Sequence, residues 1–227
     1  MNDFLDNPVY YALISGDAEK AMGSEQVKYF NPEVSPFVGF QEDYMNGFKD
    51  LHQLLPAGRT ILYATRKEIS LPKGWELIQF IHGSQFLYLS NKKFEDDFSE
   101  VIPMNQEHID QMVNLAVITK PGPFGKKTID FGHYHGIFMN DKLVAMTGRR
   151  LHVYDYTEVS AVCTHPDYLG KGYAQLLIKH QINSILEEKK IPFLHVRSDN
   201  KRAIDLYERL GFKKNGMMNF YFFRKIG

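Results

Sequence analysis

The chain has 227 residues, enough for one sizeable hydrophobic core or two small ones. A hydrophobic content of 44% excludes a disordered chain, and 27 basic against 27 acidic residues leave no global attraction for nucleic acid or an anionic membrane. The single cysteine, Cys163, excludes an intrachain disulfide framework and a cysteine-cluster metal site, and suits a reducing, cytoplasmic setting.

The opening segment MNDFLDNPVYYALISG has neither a basic leader nor a sustained apolar run, and no later stretch approaches the roughly 20 apolar residues of a membrane span. The expectation is a cytoplasmic protein without a cleaved targeting segment or a membrane partner. From Tyr44, the residues Phe48, Leu51, Leu54 and Leu55 recur at helical spacing, stopped by Pro56 and Gly58. Strands are predicted at Thr60 to Thr65, Trp75 to Ile81 and Gln85 to Leu89, with His82-Gly83-Ser84 as the turn between the last two. The charged stretch NKKFEDDFSE, Asn91 to Glu100, reads as a linker. It divides an N-terminal α/β domain at 1–98 from a second domain at 101–227.

In the second half, Asn105 can cap a helix that buries Ile109, Met112, Val113 and Ala116, ending before the shaped loop Pro121 to Phe124. Strands follow at Tyr134 to Phe138, Leu143 to Arg149 and Glu158 to Thr164, the last two joined by a looser VYDYT segment. A glycine-containing loop then feeds a helix with Ala174, Leu177, Ile178, Ile182 and Ile185 on one face. A strand at Pro192 to Val196, a helix from Asn200 to Leu210 and a strand at Met218 to Phe223 complete a layered α/β pattern.

The loop Leu169-Gly170-Lys171-Gly172-Tyr173-Ala174 carries the first chemical signal. Small residues admit close backbone approach, and the following helix N-terminus offers N–H donors to a phosphate. The spacing matches neither a dinucleotide fingerprint nor a P-loop. Lys171 either faces an anion or is solvated. His133, His135 and His165 have no partners at a metal-binding spacing, His195 reads as packed inward or bonded to the backbone, and the Arg149-Arg150 pair reads as surface charge or a contact to an acidic part of a substrate.

Two segments, VCTHPDYLGKGYAQLL and FLHVRSDNKRAIDLYERLGF, resemble the two cofactor-side motifs of the GNAT superfamily of N-acetyltransferases. The stretches TKPGPF, TEVSAVCTHP and HVRSDN resemble a bacterial subfamily that carries an additional N-terminal half; here that half shares a helix followed by several strands with the second and is either a diverged GNAT-like unit or unrelated to it. The resemblance implies a GNAT fold with a mixed central sheet, preceded by a smaller α/β domain. It implies transfer of an acetyl group from acetyl-CoA to an unidentified primary amine, on a small molecule or a peptide, by direct attack. A longer acyl group or a catalytically weak acyl-CoA sensor are the alternatives.

Residue by residue, the resemblance places cofactor binding on Val162, Cys163, Thr164, the loop Leu169, Gly170, Lys171, Gly172, Tyr173 and Ala174, and on Asn200 and Tyr207. Leu169 stands where the family usually has Arg or Gln. Val162 N–H would face the thioester oxygen as it gains charge, and Tyr207 would protonate the departing thiolate or hold its sulfur; a structural aromatic is the other reading. Glu158, 14 residues before Gly172, shares the offset of a catalytic glutamate in the histone-acetyltransferase branch. It is read as general base, as acceptor recognition, or as a solvated strand end. Asn200 would cap its helix and contact the pantetheine arm, Cys163 would pack, and Pro121 to Phe124 would border the acceptor channel or pack as a simple turn.

Overall fold

The structure, a computed structural model, describes residues 4–227; the first three residues of the opening segment lie outside it. The first half comprises α1 (Pro8–Leu13), β1 (Ala21–Gly23), β2 (Val27–Phe30), β3 (Phe37–Phe40), α2 (Gly47–Leu54), β4 (Thr60–Thr65) and β5 (Trp75–Leu87). The second comprises β6 (Ile102–Pro103), α3 (Ile109–Thr119), β7 (His135–Met139), β8 (Lys142–Val153) and β9 (Tyr156–Thr164). It continues through α4 (Tyr173–Glu187), β10 (Ile191–Arg197), α5 (Lys201–Arg209) and β11 (Lys213–Lys225).

These strands form one mixed sheet in the order β1-β2-β3-β4-β11-β5-β10-β9-β8-β7-β6. The pairs β3 with β4 and β9 with β10 are parallel, and the rest antiparallel. Alternation along β4 shows why this sheet needs cover on both sides. Leu62 and Ala64 join the core under α1 and α3, whereas Ile61 and Tyr63 join a second core under α2. Farther along the sheet, Ile178 and Ile182 of α4 and Tyr207 of α5 pack on Leu194 and Val196 of β10. The amphipathic periodicity of α4 thus becomes one wall of a layered α/β structure.

Several expectations are corrected. The two strands read at Trp75 to Ile81 and Gln85 to Leu89 are one strand, β5, with no turn at His82-Gly83-Ser84. Its whole length pairs with β11, and residues 83–87 pair with β10 on the other side, so both edges are hydrogen bonded there. Gly83 serves packing: a Cβ on it would stand 2.6 Å from the Phe220 ring. The segment VYDYT extends β8 and β9 around a tight turn at Tyr154 and Asp155. In α3, Leu115 takes the fully buried place expected for Val113.

The charged segment at 91–100 has no regular secondary structure, yet it is strapped to α4. Asn183 accepts from the Phe94 N–H and donates to the Phe94 carbonyl, both at 2.8 Å, and Lys179 reaches Asp96 at 2.6 Å. It carries the chain from β5 near the middle of the sheet to β6 at its edge.

Candidate active site

The parallel pairing of β9 with β10 stops at Phe193 opposite Glu158. Beyond that point β10 pairs with β5, and β9 pairs with β8 alone, so the two strands part. The β8–β9 ladder is itself interrupted: Met146 faces Cys163 and Gly148 faces Ser160, leaving Ala161 and Val162 against Thr147. Ala161 has φ 51°, the left-handed conformation that a bulge needs and an alanine resists. Strained backbone therefore lies at the mouth of the split.

A cavity of about 520 Å³ fills this mouth. Its walls contain Val162, Cys163 and Thr164 from β9, the whole loop Leu169 to Ala174, and Asn200 and Tyr207 from α5 and its cap. All the residues assigned to the cofactor from the sequence thus line one space. Gly170 and Gly172 have φ values of 81° and 84°, and a Cβ on either would meet nothing within 4 Å, so glycine is required by conformation and the ground above the loop is open. Gly172 caps α4, whose first N–H groups have no helical acceptor and lie on the cavity wall.

Asn200 accepts from the Ala203 N–H at 3.2 Å, the predicted cap. The Lys171 ammonium lies 4.8 Å from the Tyr168 ring centroid. Arg202 and Arg209 add cationic side chains to the same walls, residues that the sequence reading did not single out. Thr164 Oγ1 is buried with no hydrogen-bond partner in the protein. Burial raises the Cys163 thiol to about 12, which suits packing better than nucleophilic attack. Burial also raises the Tyr207 phenol, keeping its proton in place at neutral pH.

Glu158 lines neither this cavity nor the one beside it. Its carboxylate is fully buried and accepts from Arg150 Nε at 2.8 Å and Nη2 at 2.7 Å, a bidentate pair, while His195 Nδ1 lies 2.7 Å from Oε1. Burial disfavours the charge, but the Arg150 guanidinium and the hydrogen bonds from Arg150 and His195 overcome it and hold the carboxyl at about 2. An alkylammonium group titrates near 10, so this carboxylate is far too weak to take its proton readily.

Arg150 and His195 instead line the second cavity, of about 580 Å³, together with Pro121, Gly122, Pro123 and Phe124. The end of α3 separates the two spaces: Thr119 lines the first, Ala116, Val117 and Lys120 the second. The sequence reading of the Arg149-Arg150 pair as surface charge does not hold. Arg149 is fully buried and bonded to Glu188, Gln181 and Ser184, and Arg150 is held between Glu158 and the Phe37 ring. The Pro121 to Phe124 loop is where a channel-bordering segment would be, on the wall of that second space.

Comparisons with known proteins bear on the fold. A family model described as FR47-like protein matches residues 134–222. A structure from Novosphingobium aromaticivorans, assigned as an acetyltransferase of the GNAT family, is 28% identical and superposes with a TM-score of 0.91 over 98% of this chain and 99% of that one. The GCN5-related N-acetyltransferase from Kribbella flavida, 12% identical, shares the fold alone, with a TM-score of 0.61 over 97% of this chain and 96% of that one. The spermidine N(1)-acetyltransferase of Vibrio cholerae is 39% identical over 61 residues. That match spans 26% of this chain and 35% of the relative's length. The chain therefore has the GNAT acetyltransferase fold, a mixed α/β structure with a curled central sheet, preceded by additional α/β elements. No helix among the described residues is long and apolar enough to cross a membrane.

Proposed function

We propose that the protein transfers an acetyl group from acetyl-CoA to a primary amine. The observation that carries this reading is the pair of adjoining cavities: one collects all the cofactor residues assigned from the sequence, and the other holds Arg150, His195 and the Pro121 to Phe124 loop. Positive-φ glycines under open space, free helix N–H groups and an unpartnered Thr164 hydroxyl suit a phosphate-bearing pantetheine ligand.

Acetyl-CoA supplies an activated thioester. Val162 N–H, set out of register by the bulge, would stabilise charge developing on the thioester oxygen. The protonated Tyr207 phenol would donate to the leaving sulfur. Glu158 acts as a positioning residue, fixing Arg150 and His195 on the acceptor side. The amine then attacks as its free base, having given its proton to water in the open acceptor cavity.

The test incubates the full chain with acetyl-CoA and a mixed panel of amines and peptides, following released coenzyme A and acetylated product by mass spectrometry. Enzyme-dependent product supports acetyl transfer. Cofactor binding without product from any acceptor would favour a sensor, and product only from a longer thioester would replace the acetyl group.

A further inference from the structure

The second cavity says which kind of amine fits. Its walls are largely hydrocarbon and aromatic: Phe37, Phe124, Phe220 and Phe222 converge on it. Its polar contributors are cationic or neutral, and no aspartate or glutamate among the described residues lines it. The Glu158 carboxylate is spent behind the wall on Arg150 Nε and Nη2, leaving Nη1 as the guanidinium donor not engaged by Glu158. Lys120 stands on the rim, and Arg197, also on the wall, is paired with Asp199.

A polyamine in this space would bring two or more ammonium groups to walls with no carboxylate to receive them, next to Arg150 and Lys120. Desolvating those charges unpaired is prohibitive. An amine with an aromatic or branched apolar body and one carboxylate meets the opposite situation. The body replaces water against the phenylalanine rings, and the carboxylate accepts from Arg150 with Lys120 nearby. The cavity volume falls in the range of small-molecule sites.

We infer that the acceptor is a hydrophobic or aromatic amine bearing a carboxylate, the chemistry of an apolar α-amino acid, with Arg150 as the carboxylate-recognising residue. This inference rests on the acyl-transfer reading. In the reaction the ammonium first gives one proton to solvent and the free amine then forms the new amide bond as the thioester C–S bond breaks; Tyr207 gives its proton to the departing sulfur, so coenzyme A leaves as the thiol, and the second proton shed by the nitrogen restores the Tyr207 phenol through water.

The experiment measures coenzyme A release by the full chain with L-phenylalanine, L-leucine, 2-phenylethylamine and spermidine, compared at equal free-base concentration. The expected result is a kcat/KM for L-phenylalanine about tenfold or more above that for 2-phenylethylamine, the range a charge-assisted hydrogen bond supplies, with spermidine lowest. In Arg150→Gln/Glu158→Gln, which leaves neither buried partner charged alone, the ratio of the first two should fall towards one. Should that variant fail to fold, Lys120→Gln on the exposed rim should lower the same ratio. Spermidine or 2-phenylethylamine used as well as L-phenylalanine would overturn the inference and leave acyl transfer standing. No release with any acceptor or thioester would overturn the acyl-transfer reading, and the inference with it.

Discussion

Gln85 donates from Nε2 to His195 Nε2 across 2.9 Å, and this contact sets the imidazole's tautomer. The amide cannot be turned around, because its Oε1 accepts from Arg66 at 2.9 Å and Asn215 at 2.7 Å, and a guanidinium only donates. Nε2 of His195 must therefore accept, which puts the ring proton on Nδ1, facing Glu158. Gln85→Leu would leave the Arg66, Asn215 and Leu5 groups without this partner and cost about 1 to 3 kcal/mol. Nitrogen NMR of the wild-type ring should show a bare Nε2; a protonated Nε2 would refute the orientation.

Glu158→Gln should destabilise the fold by roughly 3 to 5 kcal/mol, since it leaves Arg150 with no carboxylate. The folded carboxyl sits at about 2, below an unfolded value of about 4.3, so its stabilisation is complete above that upper value. It is lost as pH falls from there through the folded value. Urea melts at pH 7 and pH 3 should therefore differ more for wild type than for the variant. For catalysis, the acceptor KM should rise while cofactor affinity holds. A variant that melts like wild type would dismiss the buried pair as an anchor.

Tyr207→Phe keeps the ring packed 6.0 Å from Phe212 and removes only the hydroxyl. We expect turnover to fall about tenfold to a hundredfold with an unchanged thermal midpoint. Because a thiolate leaves tolerably well without a proton, a single-turnover chemical step at the wild-type rate would return Tyr207 to a packing role.

The division into 1–98 and 101–227 remains a proposal about how the chain was assembled, and it does not predict two independent folding units. β11 pairs with β4 on one side and β5 on the other, both from the first half. Expressed alone, residues 101–227 should lack a cooperative thermal transition. A sharp melt with dispersed amide resonances would show that the second half folds unaided.

The first cavity was readable because its residues are local: a glycine loop feeding a helix and an N-cap at Asn200 are each sequence-contiguous patterns. The second cavity was readable only at its Pro121 to Phe124 loop. Phe37, Arg150, His195 and Phe220 converge from four different strands, so no spacing announces them. Arg149 and Arg150 read as surface charge or as a contact to an acidic part of a substrate, and their burial went unseen because their partners, Glu188 and Glu158, are separated from them in sequence. His195 carried a motif but no visible partner until Gln85 and Glu158 were brought to either side of its ring. The false turn in β5 had a similar origin: Gly83 signalled a turn, but the Phe220 ring was what required it.

The position of β5 also bears on how the chain reaches its native state. Both neighbours that flank it, β10 and β11, are synthesised long after it, and for that interval a thirteen-residue strand has two bare hydrogen-bonding edges. Closing the sheet waits for contacts of large sequence separation, a slow step that favours pairing with a neighbouring copy at high concentration. Until β10 and β11 arrive, the long strand β5 is thus the part of the chain whose edges need protection from a second copy.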